Sequence, residues 1–311
     1  MSSPLIGQLQ PVPPYDFART LDIVRRYAHP SVDHVRGDAY VRALRVGSAL
    51  ALVRVQAEAS GTLNIYLLTS TAPVDDAVLL NQVAHILGTT LDLQAFYTLA
   101  RKHKNRALWK VIKPVVGVRM LRSPSVFEAL MTTIIEQQIA WVSAQRAQKW
   151  LVEWGGEGIA AKGDTDETFY AFPASKRIAA ATVNDLKPLK ITFRRMGLMI
   201  DIAEQVEVGL LNLEGLASAS PQAAYDVLVA LNGIGHWTAT YTLTRSLGPL
   251  HPYTGTNDVA LQAAVNHYFY GGEGRIPPEQ VAETFAPFGE FAGIAALHTV
   301  YRWIVDRYKI V

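Results

Sequence analysis

Hydrophobic and polar residues alternate in three short segments of the first third of the chain. The segments are residues 40–46, 49–56 and 62–68. They are rich in β-branched and aromatic residues, and glycine-serine pairs lie between them at 47–48 and 60–61. This pattern predicts an antiparallel meander with tight turns. Helices are predicted on either side of it, over residues 17–27 and 75–87.

From about residue 120 the apolar positions recur at helical spacing. Ser125 and Glu128 have the spacing of a capping box before an apolar run, so a helix should begin there. Helices are predicted over residues 127–135, 140–154, 174–181, 193–211, 221–231, 236–247, 258–268, 278–285 and 290–307. The polar stretch 158–168 is predicted to be a loop, and the basic run 101–110 a link between the two parts.

The two patterns together predict an α+β protein. A small N-terminal domain with an antiparallel sheet is expected over residues 1–112, and a larger all-helical domain over residues 113–311. The helical domain is long enough to divide into two helical subdomains with a cleft between them.

Composition excludes several kinds of chemistry. The chain has 311 residues, is 50% hydrophobic and contains no Cys. Disulfides, thiolate catalysis, zinc–thiolate sites and iron–sulfur clusters are therefore ruled out. The first ten residues do not resemble a signal peptide, and no apolar run reaches the ~18 residues of a membrane span. We therefore expect a soluble, cytoplasmic protein without a membrane partner; the net charge of +2 alone says little about other partners.

The stretch LNGIGHWTAT interrupts two predicted helices with Gly233, Ile234 and Gly235. Glycines in a hairpin adopt dihedral angles closed to other residues and let a phosphate approach the backbone. The N–H groups at the start of the following helix then bind the anion, while Ile234 fixes the hairpin in the core. The alternative is an ordinary turn between helices with a glycine C-cap.

Three further residues favour a functional hairpin. Asp258 follows about twenty residues later at the start of a predicted helix, and Trp237 and Tyr241 share one face of the helix after the hairpin. Taken singly, Asp258 is better explained as an N-cap, and the two aromatic residues as ordinary core.

With these motifs the sequence resembles the helix-hairpin-helix DNA glycosylase superfamily. That superfamily has an L-P-G-I-G-x-x-T-A hairpin followed by an essential Asp; this chain has LNGIGHWTA and then TGTNDVALQAAV, with Asn232 in place of Pro. The likeness extends along the chain to the bacterial 3-methyladenine DNA glycosylase II type, through PPYDFARTLD, AYVRALRVG, LDLQ, EALMTTIIEQQIAWVSAQRA and APFGEFAGIAALHTVYRW. It implies that the helical domain is a helix-hairpin-helix glycosylase domain.

The resemblance also implies the reaction. Members that cut the strand carry a Lys two residues after the second glycine, where this chain has Trp237, and no other Lys lies between Leu231 and Asp258. A monofunctional glycosylase of base excision repair is therefore expected, which flips out an alkylated purine and hydrolyses its N-glycosidic bond. Asp258, when ionised, would stabilise the positive charge that develops on the sugar.

The resemblance assigns further roles residue by residue. Trp237 and Tyr241 become walls of a pocket that stacks on a cationic base. Ile23 and Val300 occupy pocket positions where the relative has aromatic residues, which leaves the substrate range open. Gln138, in the turn Gln137-Gln138-Ile139, is the wedge that fills the gap left by the flipped nucleotide; the alternative is a polar pair in a helix–helix turn.

The remaining assignments concern the DNA backbone. Contacts with phosphate are expected from Gly233, Gly235, Thr238 and His236. No cofactor is required, although a structural monovalent or divalent cation at the hairpin would be held by the carbonyls of Val229, Leu231 and Ile234. The expected partner is double-stranded DNA with a damaged base, bound by a monomer.

Three alternatives stay open. The chain could be a glycosylase for another damaged base, such as 8-oxoguanine, hypoxanthine or ethenoadenine, although Trp237 in place of Lys argues against 8-oxoguanine. It could be a helix-hairpin-helix DNA-binding protein without catalysis. It could also be a helical metabolic enzyme, which would show no salt-dependent affinity for DNA.

Overall fold

A computed structural model describes residues 4–27, 32–102, 106–161, 167–248 and 255–310. Its strands are β1 Leu5–Leu9, β2 His34–Arg36, β3 Ala39–Val46, β4 Ala49–Ala57, β5 Leu63–Ser70, β6 Gly158–Ala160 and β7 Thr168–Tyr170. Its helices are α1 Phe17–Tyr27, α2 Asp76–Leu87, α3 Gln94–Arg101, α4 Arg106–Ile112, α5 Val126–Glu136, α6 Trp141–Gly155, α7 Ser175–Ala179, α8 Phe193–Glu207, α9 Pro221–Val229, α10 His236–Ser246, α11 Val259–Val265, α12 Pro278–Phe285 and α13 Ala292–Tyr308. The predicted α+β class is confirmed.

The N-terminal sheet has five antiparallel strands in the order β1-β5-β4-β3-β2. The three predicted strands are confirmed as β3, β4 and β5. The two edge strands were not predicted. Both are short, β1 pairs through an irregular register, and neither has enough alternating positions to give a strand signal.

Both faces of this sheet are covered, which explains the nearly continuous apolar runs of β3 and β4. One face packs against α1 and α2 through residues such as Leu44 and Val53. The other face packs against the small β6–β7 pair through residues such as Leu52 and Phe169. The prediction that residues 158–168 form a loop is therefore wrong at both ends, where β6 and β7 lie. Each strand has only three residues, too few for an alternating sequence pattern, and is stabilised by contact with the larger sheet.

The helices form two apolar clusters. One cluster joins α5 to α10 and contains residues from Val126 to Leu243. The other joins α3, α4 and α11 to α13. The basic run at 101–110 is not only a link, since α4 begins at Arg106 and buries Leu108. α3 and α4 pack with the C-terminal helices α11 to α13. The domain boundary at residue 112 stays a prediction.

A buried ion cluster connects the sheet to α5. Ser125 caps α5 by accepting the Glu128 N–H at 3.1 Å, as the capping-box spacing predicted. The Glu128 side chain, however, turns to Arg42 of β3, with Nη2 to Oε1 at 2.5 Å, and Arg42 also contacts Asp33 at 2.7 Å. Removing one partner of a buried pair leaves an unpaired charge, so this cluster fixes α5 against the sheet.

We expect the stability of the fold to fall in mild acid because of His298. Its Nδ1–H donates to the Ile294 carbonyl at 2.9 Å, and its Nε2 accepts from the Tyr97 hydroxyl at 3.1 Å. Burial lowers the pKa of His298 to about 4. The unfolded chain therefore binds a proton that the folded chain excludes, and the free energy of unfolding should drop by up to about 3 kcal/mol as the pH falls from about 6.5 to about 4.

Urea denaturation at a series of pH values measures this loss. The His298→Gln variant should show a flatter pH dependence, whereas exposed His267→Gln should keep the wild-type slope. An unchanged slope in the His298→Gln variant would contradict the assignment.

Across the ranges that the structure describes, every helix is too short or too polar to span a bilayer.

Candidate active site

The glycine hairpin connects α9 to α10. The Leu231 carbonyl accepts the Ile234 N–H at 3.0 Å, and the Ile234 side chain, 5% exposed, packs in the core as predicted. Gly233 has φ of +92°, and a Cβ there would lie 3.1 Å from Leu198 Cδ2. Position 233 therefore requires glycine for its dihedral angle, and a side chain there would also displace the end of the Leu198 side chain of α8.

Gly235 does not need glycine for its dihedral angle, and the expectation that both glycines do is wrong. Its φ of −92° and ψ of 179° are open to any residue. A Cβ at this position would meet no atom within 4 Å, so open space lies in front of the first turn of α10. That space, at the positive end of a helix, gives an anion access to the backbone.

The side chains at the start of α10 face other protein groups. His236 Nδ1 is 2.9 Å from the Tyr225 hydroxyl, and burial lowers the pKa of His236. Thr238 is 3% exposed, and its hydroxyl accepts from Gln137 Nε2 at 2.9 Å. The Thr238 hydroxyl is thus engaged inside the protein, and the expected contact of Thr238 with phosphate stays a prediction.

The turn after α5 is held against the hairpin. Gln137 Nε2 also donates to the Gly233 carbonyl at 3.3 Å. Arg195 Nη1 donates to the carbonyls of Gln137 and Ile135, the latter at 3.3 Å. Gln138 at the tip is exposed and has φ of +51°, an unusual conformation for a non-glycine residue. These contacts fix a strained turn from which the Gln138 side chain projects.

A cleft of about 620 Å³ lies between this turn, the start of α8 and the hairpin. Arg194, which is exposed, and Arg195 line it together with Gly233 and Gly235. The cleft thus combines cationic side chains with the open start of α10.

Asp258 is the N-cap that its sequence position allowed, and its catalytic role stays a prediction. Its Oδ1 accepts the Leu261 N–H at 2.8 Å, which makes it the N-cap of α11. Its Oδ2 accepts the indole N–H of Trp237 at 3.1 Å. The carboxylate therefore has one oxygen on the helix and the other at the aromatic face of α10, and it is half-buried.

The two aromatic side chains lie together beside this carboxylate. The ring centroids of Trp237 and Tyr241 are 4.9 Å apart, and the planes are tilted by 31°. The loop before Asp258 packs on the second ring: Gly255 has φ of +60°, and a Cβ there would lie 3.2 Å from Tyr241 Cε2. The role of Gly255 was not predicted, because only the fold shows which ring it meets.

Ile23 and Val300 belong to the apolar cluster that joins α3, α4 and α11 to α13. Ile23 is buried in it, and Val300 packs against it while half-buried. Their assignment as pocket walls stays a prediction, as does the cation site at the carbonyls of Val229, Leu231 and Ile234. Among the described residues, no group of three or more His, Asp or Glu side chains is arranged to hold a metal ion.

Known proteins share both sequence and fold with this chain, although no protein-family model matches it. A DNA-3-methyladenine glycosylase of Bacillus subtilis is 26% identical over 236 residues, 75% of this chain and 76% of the relative. The solved 3-methyladenine DNA glycosylase of Archaeoglobus fulgidus superposes with a TM-score of 0.81 at 24% identity, covering 98% of this chain and 100% of that one.

The same fold occurs in an enzyme for a different base. The 8-oxoguanine glycosylase/lyase of Clostridium acetobutylicum, solved with double-stranded DNA, has a TM-score of 0.72 at 18% identity and covers 96% of this chain and 93% of its own. The fold is thus that of DNA glycosylases, and the chain is similar in sequence and fold to members of the helix-hairpin-helix DNA glycosylase superfamily. Within it, the chain is similar in sequence to the enzymes named for 3-methyladenine.

Proposed function

We propose that this protein is a monofunctional DNA glycosylase that removes alkylated purines from double-stranded DNA in base excision repair. One observation carries the proposal: the Asp258 carboxylate is hydrogen-bonded to Trp237 of the Trp237–Tyr241 pair, on the helix that follows the glycine hairpin. A carboxylate beside electron-rich rings suits a cationic leaving base and a sugar that becomes positive.

The geometry suggests how the carboxylate is kept in place. Each Asp258 oxygen accepts an N–H, one from the α11 backbone and one from the indole. Hydrogen bonds to an ionised acceptor are the stronger kind, and they orient the group before substrate arrives. An alkylated purine departs readily because it carries a positive charge, so the enzyme has to expose the base and stabilise the developing cation on the sugar.

Water is the nucleophile in this proposal. The position at which strand-cleaving members carry Lys holds Trp237, which cannot form a Schiff base. The product is then an abasic site in an intact strand. A monomer, the boundary at residue 112 and a cation at the hairpin carbonyls are further parts of the proposal.

Duplex oligonucleotides with one hypoxanthine, ethenoadenine or 8-oxoguanine test the reaction type. We expect any strand break at a released base to appear only after alkali, and no protein–DNA adduct in the presence of borohydride. A break without alkali, or a trapped adduct, would contradict the monofunctional assignment. Release of any of these three bases by a protein that does not release methylated purines would favour the other glycosylase specificity. Salt-dependent binding without release of any base would favour the DNA-binding module.

We expect Gln138 to act at the flipping step. The Gln138→Ala variant should release hypoxanthine from duplex DNA about 10-fold more slowly, because the gap left by the flipped nucleotide stays empty and the base returns to the stack. Release from a single strand, which has no partner base to displace, should change little.

Single-turnover rates on the two substrates measure this difference. Gln8→Ala, at an exposed glutamine on β1, is the matched control. If the Gln138→Ala variant lost the same factor in rate on the duplex and on the single strand, Gln138 would not be the wedge.

A further inference from the structure

Glu136 and Arg245 form an ion pair between α5 and α10, in which one guanidinium nitrogen contacts both carboxylate oxygens. Arg245 Nη1 lies 2.8 Å from one Glu136 oxygen and 2.7 Å from the other. The Glu136 side chain is 6% exposed and that of Arg245 is 21% exposed. Gln148 Nε2 of α6 donates to the same carboxylate at 2.8 Å. The pair is therefore built into the interior and is not a solvated surface bridge.

Arg245 also lies over the ring of Tyr241. Its guanidinium carbon is 5.4 Å from the ring centroid, one helical turn further along α10. Tyr241 thus contacts Trp237 on the turn before it and Arg245 on the turn after it. A continuous chain of contacts leads from Glu136 through both aromatic rings to the Asp258 carboxylate.

The charge of Arg245 matters because of what Tyr241 is proposed to stack against. An uncompensated guanidinium behind the ring would repel a cationic base, and in a half-buried setting that repulsion is only partly screened. The Glu136 carboxylate neutralises the charge of the Arg245 guanidinium through their ion pair. The Glu136–Arg245 ion pair therefore holds the Tyr241 ring in place and leaves no net positive charge behind it.

Glu136 also lies directly before the turn Gln137-Gln138. Its carboxylate bonds to α10 and α6, so the end of α5 cannot shift without disturbing the contact between Arg245 and Tyr241. The turn that carries the wedge candidate and the wall of the base pocket are thus joined by one ion pair.

We propose that Glu136 and Arg245 are a positioning pair that determines the preference for positively charged bases. The pair orients Tyr241, and the Glu136 charge cancels the repulsion between Arg245 and the base. This inference rests on the proposed glycosylase function and adds the reason why a cationic purine is accepted. No sequence motif predicts this ion pair. The sequence shows only that the acidic Glu136 follows the apolar run in TTIIEQQ.

The Glu136→Gln variant tests the charge and keeps the shape. The amide oxygen can still accept from Arg245, but the guanidinium is no longer neutralised. We expect single-turnover release of cationic 7-methylguanine to fall about 10-fold, while release of neutral hypoxanthine changes less than about 2-fold. Adding Arg245→Met to this variant removes the guanidinium charge and leaves a long apolar side chain to pack on the Tyr241 ring. It should restore most of the 7-methylguanine rate.

The outcomes separate this inference from the proposed function. A wild-type protein that releases neither base would end the proposed function before any variant is compared. A wild-type protein that releases both, with Glu136→Gln slowing both to the same extent, would overturn only the role of the charge. Thermal unfolding of each variant identifies simple loss of the fold, and a folded double variant that does not recover 7-methylguanine release would also overturn the inference.

Discussion

The Asp258→Asn variant should release a methylated purine about 10³-fold more slowly than the wild type, while it binds duplex DNA as before. Asparagine keeps the oxygen that caps α11, where Asp258 Oδ1 accepts the Leu261 N–H, so the helix should persist. The proposed function places this negative charge beside the sugar, so its loss should remove the stabilisation of the developing cation. Single-turnover rates and a DNA-binding titration separate the two effects.

Asp226→Asn provides the matched control. Asp226 is an exposed acid on α9, the helix before the hairpin, where it accepts from Gln222 at 2.7 Å. It should keep the wild-type rate. A full rate of base release by the Asp258→Asn variant would show that Asp258 is only a helix cap.

The second large effect is expected at Trp237. Trp237→Phe keeps a ring but loses the N–H that holds Asp258 Oδ2, a hydrogen bond to a charged group, so the rate should fall about 10- to 100-fold. Trp237→Ala also removes the stacking surface, which should slow release of a cationic base by roughly a further 10-fold.

Trp150→Phe, in the stacked Trp150–Trp154 pair of α6, is the control for replacing an indole elsewhere. The order wild type, Trp237→Phe, Trp237→Ala should be seen in single-turnover rates with 7-methylguanine. Equal rates for Trp237→Phe and the wild type would mean that the indole hydrogen bond does not contribute to the reaction.

Sequence reasoning succeeded where a signal is local. The strands β3 to β5 and the helices that flank the hairpin follow from apolar periodicity, which each segment carries in itself. The Ser125 cap follows from a fixed spacing. The edge strands, β6, β7, α3 and α4 were missed because they are short and are stabilised by distant neighbours.

The two glycines of the hairpin motif have different structural roles. Gly233 meets the prediction, since φ is positive and Leu198 approaches closely. Gly235 has ordinary dihedral angles, and what its missing side chain provides is open space. The pattern Gly-Ile-Gly does not distinguish a conformational requirement from a steric one.

The candidate site depended most on contacts that sequence cannot show. Trp237 and Asp258 were singled out from their positions, but the bond between them joins residues 21 apart in the chain. Gly255 against Tyr241, and Glu136 against Arg245, join still other elements. Such pairings follow from tertiary packing, which periodicity does not record.

The most direct test of the central claim is to incubate methylated duplex DNA with the purified protein and identify the released bases by mass spectrometry. The account predicts free 3-methyladenine or 7-methylguanine, strands that stay intact until alkali is added, and almost no free base with the Asp258→Asn variant. No free methylated base from the wild type, or equal release by wild type and variant, would contradict it.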